Sequence, residues 1–169
     1  MPNPRRADHW IKTLRLEKHP EGGHFREVYR ALESIPRSGL PARFAGPRSF
    51  STAILFLLRA GDFSAFHRLR ADEVWHYYRG AALTVHEITP AGELREHRLG
   101  PDPEKGDSFL AVVSAGSWIA ASLQRRSGYV LVGCTVAPGF DFLDFELARR
   151  QQLMRLYPAH RRLIEKLTR

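Results

Sequence analysis

The chain has 169 residues, 43% hydrophobic and 26% charged, the make-up of an ordinary globular protein able to bury one core. Its net charge of +8 comes mostly from arginines scattered among Asp and Glu, dense only in the tail RRQQLMRLYPAHRRLIEKLTR. No helix-turn-helix, zinc-finger or RNP-like pattern accompanies them, so a solvated basic surface is expected and nucleic acid is not.

MPNPRRADHW has no apolar stretch behind its arginines and does not read as a secretory signal. Residues 7–18 then place Trp10, Ile11 and Leu14 near helical spacing, with Asp8 as an early cap. HPEGG (19–23) stops that helix, because Pro20 and the glycine pair break it. HFREVYRA (24–31) alternates as a strand, and SIPRSGLPARFAGPR (34–48) reads as a long loop.

From Ser49 to Glu146 short strands alternate with turns: 49–58, 63–69, 73–79, 82–88, 93–98, 109–113, 117–123, 129–136 and 141–146. One of the turns is QRRSG (124–128). Such spacing without helices between indicates an antiparallel sandwich or barrel. One or two helices follow over 147–168. The longest apolar runs, AILFLL (53–58) and YVLVGCTVA (129–137), are too short to cross a bilayer. The single cysteine, Cys134, lies in the second run and reads as a small buried hydrophobe. No linker divides the chain, so one domain over 1–169 and a reducing, cytoplasmic setting are expected.

The stretch GDFSAFHRLRADEVWHYYRG (61–80) carries the chemistry. By offset it gives Gly61, His67, Leu69, Glu73 and Gly80, which resembles the first cupin motif, G-x5-H-x-H-x3-E-x6-G, with leucine in place of the second histidine. The second motif, P-x-G-x2-H, aligns with Ser114, Gly116 and Ile119, so its proline and histidine are both replaced. Three more stretches, HPEGGHFREVYR, DEVWHYYRGAALTVHEI and VGCTVAPGFDFLDFEL, resemble a cupin branch catalogued as a domain of unknown function. The resemblance spans roughly residues 8–167. It implies a mainly β double-stranded β-helix, or jelly roll, with an N-terminal helix and one or two C-terminal helices, usually paired as a homodimer. Its likeness to sugar-nucleotide epimerase cupins lies mainly in the fold, which does not by itself carry a function.

Strand parity turns His67 toward the barrel interior, and Glu73, Trp75 and Tyr77 with it, while His76 and Trp118 face away. His67 is the expected base, Glu73 its orienting partner, Tyr77 the returning acid and Trp75 a wall. His24, Arg26, Glu27, Phe66 and Ile119 are the expected ligand contacts. Phe140, Phe142 and Phe145 read as core, and Asp141 and Asp144 as turn formers. No cofactor is expected. Leu69 and Ile119 cannot coordinate a metal, and a divalent ion, if held, would fall to His67 and Glu73. The reading is thus a small-molecule barrel with isomerase- or epimerase-type proton transfer on a sugar or nucleotide-sugar derivative. A non-catalytic binding module and a metal-dependent enzyme with an altered ligand set are the alternatives.

Overall fold

The computed structural model describes residues 5–123 and 127–169, so the expected turn at 124–128 lies partly outside the described residues. Helix α1 spans Arg5–Thr13 and ends earlier than the spacing suggests, because residues 17–18 instead pair with the strand that follows. The strands are β1 (Glu17–Lys18), β2 (His24–Arg30), β3 (Ser34–Ile35), β4 (Arg48–Ser49), β5 (Thr52–Arg59), β6 (Phe63–Arg68) and β7 (Asp72–Gly80). They continue with β8 (Leu83–Ile88), β9 (Leu94–Leu99), β10 (Leu110–Val113), β11 (Trp118–Leu123), β12 (Tyr129–Ala137) and β13 (Glu146–Leu147). Helices α2 (Arg150–Leu156) and α3 (Arg161–Lys166) close the chain. No helix among the described residues is long and apolar enough to cross a membrane.

Two antiparallel sheets face each other as a jelly roll. One has the order β1-β2-β5-β12-β7-β10, the other β13-β6-β11-β8-β9. Their inner faces interdigitate through Phe56, Trp75, Val85, Ile119 and Val132, which fill one half of the barrel solidly. Outside, Trp10 and Ile11 of α1 and Leu14 just beyond it cover Leu57, Tyr129 and Leu131, and the Trp10 indole donates to the Tyr129 hydroxyl at 2.8 Å. On the opposite sheet, Leu153, Ile164 and Leu167 cover Phe66, Trp118 and Ala120. Segment 141–146 is not a regular strand. It forms a strap with a 3-10 turn over Phe142–Asp144, because the Asp141 carboxylate caps the Leu143 N–H at 2.8 Å. Arg48 holds that strap through a bidentate pair to Asp144, 2.6 and 2.7 Å, with both side chains buried.

Two irregularities decide what faces inward. In β6 the register steps from Ile119↔His67 to Ala121↔Ser64, so one extra residue bulges and both Ser64 and His67 turn into the barrel. In β2 the register steps past Val28, so Phe25, Glu27 and Arg30 all share the inner side, opposite Phe56, Ile54 and Thr52.

The glycine pair after Glu21 lets the 19–23 turn lie flat against β5 and β6. Gly22 has φ +116, and a Cβ there would stand 2.3 Å from the Phe63 carbonyl oxygen. Gly22→Ala is therefore expected to cost about 2 kcal/mol or more in urea unfolding. Gly61→Ala, at φ +92 but with nothing within 4 Å of the added carbon, should cost only about 1 kcal/mol of backbone strain.

Candidate functional site

The half of the barrel left unfilled encloses a cavity of about 300 Å³. His19, Glu21, His67, Glu73 and Cys134 form its polar end. Phe25, Phe56, Phe140, Phe142 and Phe145 supply most of its apolar wall. At the mouth Arg30 grips Glu27 with two hydrogen bonds, 2.9 and 2.7 Å, and donates a third to the Phe140 carbonyl at 3.1 Å.

Glu21 reaches this interior from the 19–23 turn. Its backbone carbonyl accepts from the Ala65 N–H at 2.8 Å, and its carboxylate accepts from the Ser64 hydroxyl, also at 2.8 Å. The other carboxylate oxygen lies 3.1 Å from His67 Nδ1. That nitrogen also lies 2.9 Å from the Ala65 carbonyl oxygen, which can only accept. His67 Nδ1 therefore carries the proton, and Nε2 is left as the ring's acceptor. The Phe145 ring stacks on the imidazole at 5.4 Å between centroids and 27° between planes.

Glu73 accepts from the Trp75 indole at 2.9 Å and from the Cys134 thiol. Burial raises its carboxyl to about 7; His67 opposes the shift and Glu21 adds to it. Burial likewise raises Glu21 to about 8, with the Ser64 hydroxyl pulling the other way. His67 is lowered by burial, against Glu73, and His19 is lowered to about 4 by burial and by His67. Two neutral imidazoles and two carboxyls titrating near neutrality thus share one enclosed space, a distribution typical of sites that move protons.

His67 and Glu73 do line the same cavity, and Glu27 stands at its mouth. The remaining expected positions are corrected. Trp75 is fully buried and supports Glu73 from behind instead of forming a wall. Tyr77 shares Glu73's face, but four residues along β7, roughly 13 Å away, its hydroxyl donates to the Gly80 carbonyl at 2.7 Å. Phe66, next to His67 in β6, alternates to the opposite face and packs under the helices. Ile119 sits opposite His67 yet belongs to the packed half. His24 and Arg26 pair with Leu57 and Leu55 on the outer face of β2. Phe142 is 57% exposed at the mouth, not core. Glu73 is not the group that orients His67: Glu21 and the Ala65 carbonyl are. Glu21 and His19 went unread because a Pro-Glu-Gly-Gly run signals a turn, and only the two left-handed glycines hint that the turn is pressed against something.

The donor set does not fit a divalent metal. Leu69 packs with Leu40, Phe44 and Val136, and Ile119 lies in the core. His67 Nδ1 and one Glu73 oxygen are already engaged. Among the described residues no group of three or more His, Cys, Asp or Glu is arranged so that it could hold a metal ion.

The family profile described as Cupin superfamily (DUF985) matches residues 8–148. The chain belongs to that family. This cupin is 40% identical to protein SO0799 from Shewanella oneidensis, whose crystal structure matches 96% of this chain and 97% of that one with a TM-score of 0.87. A hypothetical protein from Leishmania major matches at 34% identity and TM-score 0.86, over 96% of this chain and 98% of that one. The uncharacterized protein YML079W of Saccharomyces cerevisiae is 27% identical over 154 residues, 85% of this chain and 76% of that protein.

The buried acids of this cupin give its stability a definite pH dependence. Both hold their protons more tightly folded than unfolded, so the stability they add is complete at acid pH and drains as pH climbs through about 7 and about 8. His19 acts oppositely: its contribution is lost as pH falls from 6.5 toward about 4. Between about pH 7 and 8.5 His19 is neutral in both states, and the two raised carboxyls set the slope. Urea unfolding should therefore show stability falling across that window, and Glu21→Gln should flatten the fall.

Proposed function

We propose that this cupin binds one small polar molecule in its barrel and transfers a proton on it without a metal. The observation that carries the reading is an imidazole of fixed tautomer beside carboxyls raised to about 7 and about 8, all in one enclosed cavity. His67 Nε2 takes a hydrogen from the carbon next to a carbonyl. The Glu73 carboxyl gives its proton to that carbonyl oxygen, so an enol forms and no net charge is created on the ligand. Glu21, at 3.1 Å from Nδ1, and the Ala65 carbonyl keep that N–H engaged, so the base nitrogen stays Nε2. On a hydroxy-carbonyl compound the enol is an enediol: Glu73 then takes the proton of the neighbouring hydroxyl while His67 returns its proton to the former carbonyl carbon, which is isomerisation.

A cavity of about 300 Å³ lies at the small end of ligand pockets, which run from about 300 to 1,000 Å³. It suits a single sugar-sized carbonyl compound against phenylalanine rings better than a whole nucleotide sugar, and the mouth's Arg30 is already committed to Glu27. A second reading, a binding module without turnover, is favoured by the two hydrogen bonds that Glu73 already accepts. We also propose a cytoplasmic homodimer. Leu110 and Val112 of the edge strand β10, with Tyr78 on neighbouring β7, expose apolar surface that a second copy would cover.

The test is a thermal-shift screen of small sugars and hydroxy-carbonyl compounds, followed by deuterium wash-in from D₂O for each hit. Exchange at the carbon beside the carbonyl is expected. It should fall about 10²–10⁴-fold in His67→Gln and in Glu73→Gln, while binding changes far less. Tight binding with no exchange would select the module.

A further inference from the structure

On the far side of the 140–146 strap lies a second concavity, a groove of about 480 Å³ that shares Leu69 and Phe145 with the barrel cavity. Its charge comes from Arg43, Arg68 and Arg70, set against Asp144 and Glu146. Asp144 is neutralised by Arg48, which binds it bidentately from the buried side. Glu146 is neutralised by Arg68, 2.7 Å away, whose guanidinium also lies over the Trp118 ring. Arg70 stands 4.0 Å from Asp144, too far for a hydrogen bond. Four guanidiniums thus face two carboxylates: Arg70 only shares Asp144 with Arg48 at ion-pair distance, and Arg43 has no carboxylate partner among the described residues.

They are also held in place. Arg43 Nε donates to the Arg70 carbonyl at 2.7 Å, and Arg70 Nη1 donates to the Arg43 carbonyl at 2.7 Å. The Arg43 guanidinium lies 5.0 Å over the Phe44 ring. This reciprocal pair fixes both side chains along one seam. Both terminal nitrogens of Arg43 and Nη2 of Arg70 keep their N–H groups without a protein acceptor among the described residues. Fixed guanidinium forks with unspent donors suit a tetrahedral oxyanion of charge near two, and their ordering entropy is largely spent in folding.

We propose that this groove binds the phosphoryl group of a small molecule through Arg43 and Arg70, with Arg68 at its edge. The site is independent of the barrel chemistry. It would survive the absence of any proton transfer, although Leu69 and Phe145 border both.

Titration calorimetry of the full chain with inorganic pyrophosphate at low ionic strength tests it. Saturable one-to-one binding is expected, weakened by about tenfold or more in Arg43→Gln and in Arg70→Gln and weakened by added salt. Arg95→Gln removes the same charge from a distant exposed pair with Glu93 and should leave binding unchanged. Arg43→Lys, which keeps the charge but not the fork, should fall between wild type and Arg43→Gln, and thermal melts without anion establish that each variant is folded. Absence of saturable binding, or an equal loss in Arg95→Gln, would overturn the site. A short single-stranded oligonucleotide that displaces pyrophosphate more effectively than a sugar phosphate does would overturn its assignment to a small molecule.

Discussion

The structure turns on one contact: the Glu21 carboxyl, removed from water, set against the Nδ1 edge of His67. Burial keeps the carboxyl from its ordinary acidity and likewise disfavours a second proton on the imidazole. Each of the supports around the pair answers that constraint. The Ser64 hydroxyl satisfies one carboxyl oxygen, the Ala65 carbonyl satisfies the imidazole N–H, and the bulge in β6 is what lets Ser64 and His67 face the same way. Gly22 and Gly23 let the turn bearing Glu21 approach backbone that a β-carbon would strike.

The strap over 140–146 closes the cavity with Phe140 and Phe145 and is itself held by Arg48 and Asp144. A buried ion pair of this kind contributes little net stability but is costly to break on one side, so its effect is to fix where the strap sits. Because Phe145 stacks on His67 and also borders the arginine groove, the strap joins two regions of opposite character. One is acidic and enclosed, the other basic and open, within a chain of net charge +8.

Much of the fold was legible in the sequence because β-strands write themselves in turn residues and alternating side chains. Strands β5 to β12 fall within a few residues of their expected places, and His76 and Trp118 lie on the outward faces that parity assigns them. The cupin glycine frame survives at Gly61 and Gly80, both with left-handed backbone, although the metal set does not. What stayed hidden has a common cause. Parity gives the face of a side chain but neither its depth along the barrel nor the position of a bulge. Tyr77 and Ile119 have the expected face and the wrong depth, whereas Ser64 is turned inward only by a bulge that nothing in SAFHR announces. Glu21 was hidden differently, since a turn residue enters the site only through long-range packing. The 141–146 segment reads as a strand until the side-chain cap of Asp141 is taken into account.

The most direct test of this account is carbon-detected NMR titration of the Glu21 and Glu73 side-chain carboxyls, with nitrogen shifts of the His67 ring followed in the same samples. The account predicts carboxyl midpoints near 8 and near 7, and a neutral His67 protonated on Nδ1 throughout that range. Midpoints for both carboxyls near the ordinary value of 4.5, or a His67 ring protonated on Nε2, would contradict it.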